Sequence, residues 1–155
     1  MAFKRLEEHW RHIKKSLLLL IPSIRNEAYY FQTHIALNLA SHGRGRSEKA
    51  LIKVAKKGIR SMKKGGGPWP TTLAHLLEAE LVLLMGREQE AIASFKEVIG
   101  KLDDLKMHLH AFALRFKLGE LIKGDEGALL VDEAQGFFDG QSIKNPHALT
   151  RMLLP

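Results

Sequence analysis

The spacing of apolar residues is the feature that most constrains this chain, because such residues recur every three or four positions along most of its length. Trp10, Leu17 and Leu20 follow this spacing near the start, and Phe95 and Val98 follow it further on. A period of this kind places one apolar stripe along an α-helix. Period-two alternation is absent and β-branched residues are few, so the pattern predicts an all-α fold.

Proline, glycine and small polar residues divide this pattern into helical segments. Pro22 ends the first helix, and a third helix is expected over residues 47–64. The run at 65–70 reads Gly-Gly-Gly-Pro-Trp-Pro, which predicts a loop without helix. Further helices are predicted over 72–85, 88–102, 105–123 and 126–139, with a short last one that begins at Asn145-Pro146. The predicted N-caps are Ser23, Ser47, Thr71 or Thr72, and Asp125.

Small residues occur at a spacing typical of paired helices. Gly86 follows Ala79 by seven positions, Ala91 follows after five more, and Phe95 after a further four. Small residues let two helices approach closely, and the aromatic ring fills the space between neighbouring helix pairs. This spacing resembles the 34-residue tetratricopeptide repeat, a helical hairpin that stacks on its neighbours.

Two other parts of the chain repeat pieces of this spacing. Ala36 and Gly43 match the first pair, and Ala113 lies 34 residues after Ala79. Glu120, however, stands where the third unit needs glycine, and the Trp, Tyr and Pro positions of the full repeat are missing. The prediction is an all-α, divergent tetratricopeptide-like right-handed array of antiparallel helix hairpins with flanking N- and C-terminal helices. A generic helical bundle with accidental spacing is the alternative.

The helices are expected to form one domain over residues 1–155. Its predicted parts are a leading helix at 1–21, hairpins at 23–64, 71–102 and 105–140, and a C-terminal cap at 145–155. The chain has no cysteine, which excludes a disulfide scaffold, a thiolate zinc site and a cysteine nucleophile. The longest apolar run, Leu17 to Ile21, is too short to span a membrane, and no secretory signal is visible. We therefore expect a cytoplasmic chain without a transmembrane segment, and its oligomeric state is open.

The last third of the chain carries a second resemblance. It contains Leu118-Gly119-Glu120-Leu121, then Gly124-Asp125-Glu126-Gly127-Ala128-Leu129-Leu130, and later Ile143-Lys144-Asn145-Pro146. Together with Ala28-Tyr29-Tyr30-Phe31, these segments resemble the C-terminal region of large bacterial eukaryotic-like serine/threonine kinases and related ATPase regulators. In those proteins a tetratricopeptide-like array follows the kinase or ATPase part. Whether this chain is a fragment of such a protein or stands alone is open.

No catalytic or metal-binding motif accompanies this resemblance. The sequence has no glycine-rich phosphate loop before a strand, no HRD-like catalytic loop, no DFG and no GxxxxGK[ST]. His9 and His12 share a helix face without further ligands, and His108 and His110 should point in different directions. We therefore expect no enzymatic activity, no cofactor and no metal.

The tetratricopeptide resemblance implies a concave groove lined by the first helix of each hairpin. By the spacing from Ala79, a mixture of apolar and polar side chains would face this groove. Such a mixture suits an extended or helical peptide with apolar anchors. The alternative, in which flanking helices fill the groove and these residues form the core, is equally open. The predicted groove residues are Tyr30, Thr33, Leu37, Ala40, Leu73, Leu76, Glu80, Leu83, Met107, His110, Leu114 and Lys117.

The positive charge of the chain is concentrated in one segment. The net charge is +7, but residues 44–64 alone carry nine basic residues and one acidic residue, a net +8. Such a face could bind phosphates or an acidic protein, although it has no aromatic residues for stacking on bases. The predicted basic surface consists of Arg44, Arg46, Lys49, Lys53, Lys56, Lys57, Arg60, Lys63 and Lys64.

These observations lead to one functional hypothesis and one alternative. The hypothesis is a non-catalytic protein-protein interaction or regulatory module of a bacterial signalling protein, with a protein or peptide partner that could be acidic. The alternative is binding of nucleic acid or another anionic surface through the basic face of residues 44–64.

Overall fold

A computed structural model describes residues 2–43 and 48–155 of the chain. Within these ranges the chain forms eight α-helices, one short 3-10 helix and no strand, which confirms the all-α prediction. The 3-10 helix Leu17–Leu20 lies between α1 and α2. The α-helices are α1 (Ala2–Lys15), α2 (Pro22–Ser41), α3 (Glu48–Gly65), α4 (Pro68–Leu84), α5 (Glu88–Asp104), α6 (His108–Ile122), α7 (Gly124–Gly140) and α8 (Pro146–Leu153).

The end of the first predicted helix differs from the prediction. After α1, Ser16 has an extended backbone, and the chain then winds as a 3-10 helix. Because a 3-10 helix has three residues per turn, the apolar stripe of α1 does not continue in register. Trp10 is buried as predicted, whereas the predicted stripe residues Leu17 and Leu20 are 79% and 72% exposed.

The loop predicted at 65–70 is much shorter in the structure. α3 continues through Gly65, and α4 begins at Pro68, so the helices are separated only by Gly66 and Gly67. These two glycines have φ values of +70° and +93°, which a residue with a side chain adopts with difficulty. The prediction treated Pro68 and Pro70 as helix breakers, but both lie in the first turn of α4. Proline is tolerated there because the backbone nitrogens of the first turn have no intrahelical hydrogen bond to lose.

Most predicted helix caps are also wrong. The N-caps of α2, α4 and α7 are Ile21, Gly67 and Lys123, and none of them caps with its side chain. The last helix does begin at Pro146 as predicted, and Asn145 caps it, because its Oδ1 accepts a hydrogen bond of 2.9 Å from the Ala148 backbone N–H. Ser47 lies outside the described residues, and the predicted caps that lie inside helices instead are Ser23, Thr71, Thr72 and Asp125.

Successive helices from α2 to α7 pack on one another in chain order, and α2 also contacts α4. The alanines of the repeat-like spacing lie at these contacts: Ala36, Ala79, Ala91 and Ala113 are all buried. Phe95 fills the core beside them. The packing places α2, α4 and α6, the first helices of the three predicted pairs, around one cleft, and α8 packs on α6 at its edge.

The contact between α6 and α7 is unusually close at two glycines. A Cβ atom on Gly119 would lie 2.6 Å from the carbonyl oxygen of Gly127, and one on Gly127 would lie 2.5 Å from the carbonyl oxygen of Gly119. No other residue type has room at either position. Gly119 and Gly127, which belong to the segments 118–121 and 124–130 of the second resemblance, therefore have a packing role.

Candidate functional site

Side chains from three helices meet at a cavity of about 240 Å³. Leu37 comes from α2, Glu80 and Leu83 come from α4, and Lys117 comes from α6, so four of the predicted groove residues line the same space. Their separation in sequence shows that packing of the helices, and not local structure, brings them together. The rest of the lining consists of Ser41, Leu84 and Pro155.

Glu80 and Lys117 form an ion pair on the floor of this cleft. The Lys117 Nζ atom lies 2.7 Å from Oε1 and 2.6 Å from Oε2 of Glu80. The Glu80 side chain is only 5% exposed, and that of Lys117 is 23% exposed. Burial raises the pKa of the Glu80 carboxyl, while the charge and the hydrogen bond of Lys117 oppose this rise. The pair thus joins α4 to α6 and forms a polar, charge-compensated floor.

The segment at the end of α8 lies in the same cleft. The Tyr30 hydroxyl donates a hydrogen bond of 3.0 Å to the Leu153 carbonyl oxygen, and Lys117 Nζ donates one of 2.7 Å to the Pro155 carbonyl oxygen. Between them, the side chain of Leu154 is fully buried. Part of the predicted groove is therefore filled by the chain itself, and part stays open.

The electrostatics of the cleft favour neutral hydrogen-bond donors around the single ion pair. Burial, assisted by the negative charge of Glu80, raises the pKa of Tyr30 to about 12, so the phenol keeps its proton. Burial and the positive charge of Lys117 lower the pKa of His34, which disfavours a second cation there. Lys117 is thus the principal positive charge available to a carbonyl oxygen in this cleft.

A second cavity, of about 400 Å³, adjoins the first. Both are lined by Ser41, Lys117 and Pro155, so Pro155 lies between them. The second cavity is more polar, with contributions from His42, Glu120, His147 and Arg151. Its wall includes the buried Thr150, whose hydroxyl has no hydrogen-bond partner within the described ranges.

Five of the remaining predicted groove residues are buried in the core. Thr33, Leu76 and Leu114 are completely buried in the core, so a partner does not reach them in this structure. Thr33 is held against Gly58, where an added Cβ would lie 1.9 Å from the Thr33 Oγ1 atom. Ala40 and Leu73 are buried, whereas Tyr30, Met107 and His110 are half-buried, and burial lowers the pKa of His110.

The sequence leaves open whether flanking helices fill the groove, and it does not identify Met152–Pro155 as the segment that lies there. The predicted cap at 145–155 was assigned to the end of the array, not to the groove. The available signal was the apolar run Leu153-Leu154-Pro155 directly after a short helix. Apolar side chains in such a run are expected to be buried. The place where they are buried depends on side chains more than 30 residues away in the sequence.

The basic surface lies on the side of α3 away from the core. Lys49, Lys53, Lys56, Lys57, Arg60 and Lys64 are exposed, while Leu51, Ala55, Ile59 and Met62 are buried. Lys63 is half-buried and forms an ion pair of 2.6 Å with Glu78 of α4. Arg44 and Arg46 lie outside the described residues.

Residues 2–43 and 48–155 offer few candidates for other kinds of site. Among them, no three His, Asp or Glu side chains are placed to hold a metal ion together. His9, His12 and His108 are exposed, and His110 is half-buried. No described helix is both long and apolar enough to cross a bilayer.

Comparison with known proteins identifies no relative of this chain. No protein-family model matches it, and neither a curated protein nor a solved structure does.

Proposed function

We propose that this chain is a non-catalytic protein-interaction module that binds a segment of a partner protein in the cleft between α2, α4 and α6. The helix pairs would form a divergent, right-handed tetratricopeptide-like array. The resemblance of residues 118–130 and 143–146 supports a regulatory or scaffolding role in a bacterial signalling protein of the serine/threonine-kinase type.

The observation that carries the proposal is the ion pair of Glu80 and Lys117 beside an open cavity. Removing two charges from water is costly, and an apolar pair of similar size is often as stable or more stable. An ion pair on a cleft floor is therefore better explained by recognition than by stability. Lys117 has three N–H donors, and it directs one beyond Glu80 toward a backbone carbonyl.

The shape and lining of the cleft support a peptide as ligand. Leu37, Leu83 and Leu84 provide an apolar wall, and the polar groups lie on the floor and at one end. A few convergent polar groups within an apolar cleft are typical of binding sites. Grooves between helices in stacked arrays commonly bind extended or helical segments.

Selection from a random peptide library tests this proposal without knowledge of the natural partner. We expect the chain to enrich peptides whose affinity falls at least about tenfold in the Leu83→Arg variant, because an arginine there blocks the apolar wall. Leu129→Arg is the matched control, since Leu129 is 70% exposed on α7. Both variants must keep the cooperative thermal unfolding of the wild type. Absence of enrichment, or peptides indifferent to Leu83→Arg, contradicts the proposal.

The exposed lysines of α3 favour a second candidate function, binding of a phosphate backbone or another anionic surface. Lys53, Lys56, Lys57 and Lys64 are exposed, and no carboxylate of the described part of the chain is recorded within 4 Å of them. Contacts of this kind release counterions, so their affinity falls steeply as salt rises.

Fluorescence anisotropy with labelled duplex DNA and RNA tests the second candidate. If about four phosphates are contacted, the affinity should fall about 100-fold between 50 and 200 mM salt. Lys53→Glu/Lys57→Glu should abolish binding, while the charge-matched control Lys106→Glu/Lys144→Glu should not. Binding that is absent at low salt, or equally weakened by both double variants, removes this candidate.

A further inference from the structure

We infer that the cleft recognises a short segment through two backbone carbonyls two residues apart and one buried apolar side chain between them. Residues Met152–Pro155 occupy this position now, so they act as an intramolecular competitor that a partner segment must displace. The inference rests on the proposed function, because it concerns the same cleft.

The backbone of the docked segment changes conformation at the end of α8. Leu154 has φ −119° and ψ 136°, which is extended conformation. Leu153 before it is the last residue of α8, so the segment leaves the helix at Leu154. The Leu153 and Pro155 carbonyls accept hydrogen bonds from Tyr30 and Lys117, and the Leu154 side chain is buried.

These contacts do not depend on most of the segment's sequence. Every peptide carries backbone carbonyls, and the hydrogen bonds from Tyr30 and Lys117 go to the carbonyls of Leu153 and Pro155. The one buried side chain is that of Leu154, while the Met152 side chain is 66% exposed. The ligand class is therefore a segment with a leucine-sized side chain between the two bonded carbonyls.

Two features of the structure allow the segment to be displaced. α8 has only eight residues, too few for a stable isolated helix, and its main packing partner is α6. Cavities of about 240 and 400 Å³ stay open beside Pro155. A partner segment that extends into them makes contacts that Met152–Pro155 do not make. The docked segment has instead the advantage of being tethered, which gives it a high effective concentration.

The test uses a fluorescein-labelled peptide of residues 146–155 with an amidated C-terminus, and measures its anisotropy with the full chain. We expect the Leu154→Asp chain to bind this peptide about tenfold more tightly than the wild type does, as when only a tenth of the wild-type molecules have an empty cleft. Adding Tyr30→Phe to the Leu154→Asp chain should weaken binding about 3- to 10-fold, because one donor is lost. A chain carrying Leu129→Asp should behave as the wild type.

A second variant leaves the segment and the cleft unchanged. A flexible ten-residue insert after Lys144 triples the link between α7 and α8, so the effective concentration of the segment falls about fivefold and peptide affinity should rise about fourfold. This variant decides the question if Leu154→Asp does not fold.

The inference is overturned if folded Leu154→Asp or the insert variant binds the peptide no more tightly than the wild type, or if Tyr30→Phe has no effect. Should library peptides bind through Leu83 while this peptide does not bind, the proposed function stands and the inference alone is wrong. Should neither the library nor the peptide bind, both are wrong.

Discussion

Lys117→Met is expected to lower the free energy of unfolding by about 3 kcal/mol at pH 7, since it leaves the buried Glu80 carboxylate without its cation. Methionine keeps the length and apolar character of the lysine stem, so the change removes the charge with little loss of packing. Urea denaturation monitored by circular dichroism measures the effect.

The double variant Glu80→Leu/Lys117→Met separates the ion pair from other losses. Because it removes both charges and fills the space with apolar atoms, we expect it to recover most of the stability lost in Lys117→Met. Its remaining deficit reports the lost hydrogen bond from Lys117 to the Pro155 carbonyl. A double variant as unstable as the single one contradicts the role of an unpaired buried charge.

The destabilisation caused by Lys117→Met should depend on pH. Burial raises the pKa of Glu80 in the folded protein, and removing Lys117 removes the groups that oppose this rise. A carboxyl whose pKa is raised by folding stabilises the fold fully below its unfolded pKa, and this contribution disappears as the pH rises through the folded pKa. The destabilisation by Lys117→Met should therefore shrink between pH 7 and pH 5, and a constant difference contradicts the account.

The helices could be predicted because their signal is local. Apolar spacing identified α2 to α7, and Asn145-Pro146 identified the start of α8. The caps failed because they were assigned from side-chain type, while Gly67 and Lys123 begin their helices through backbone conformation alone. The turn at Gly66 and Gly67 is tighter than expected for the same reason.

The cleft could be predicted only in part. Leu37, Glu80, Leu83 and Lys117, which the repeat-like spacing assigns to the groove, line one cavity. The bond between Glu80 and Lys117 joins residues 37 positions apart, and the bond from Tyr30 to Leu153 joins residues 123 apart. Such contacts depend on how all the helices pack, and the spacing of apolar residues along the sequence does not determine that packing.

Gly119→Ala is expected to destabilise the fold by about 3 kcal/mol, because the new methyl group has no free space. Its Cβ would lie 2.6 Å from the Gly127 carbonyl oxygen and 3.1 Å from the Val131 backbone nitrogen. Both are backbone atoms, so no side chain can turn away and α6 must move from α7. Thermal unfolding should show a fall in Tm of more than about 5 °C.

Gly136→Ala is the matched control, because it adds the same methyl group to α7. No atom lies within 4 Å of a Cβ built at Gly136, and alanine is a better helix former than glycine. We expect this variant to gain about 0.5–1 kcal/mol. If Gly119→Ala lowers the free energy of unfolding and Gly136→Ala raises it, the loss comes from the close contact of α6 with α7 and not from helix propensity. A stabilising effect of Gly119→Ala contradicts that contact. Separation of the two helices would also shift Lys117 on α6, so Gly119→Ala should weaken peptide binding in the cleft while Gly136→Ala leaves it unchanged.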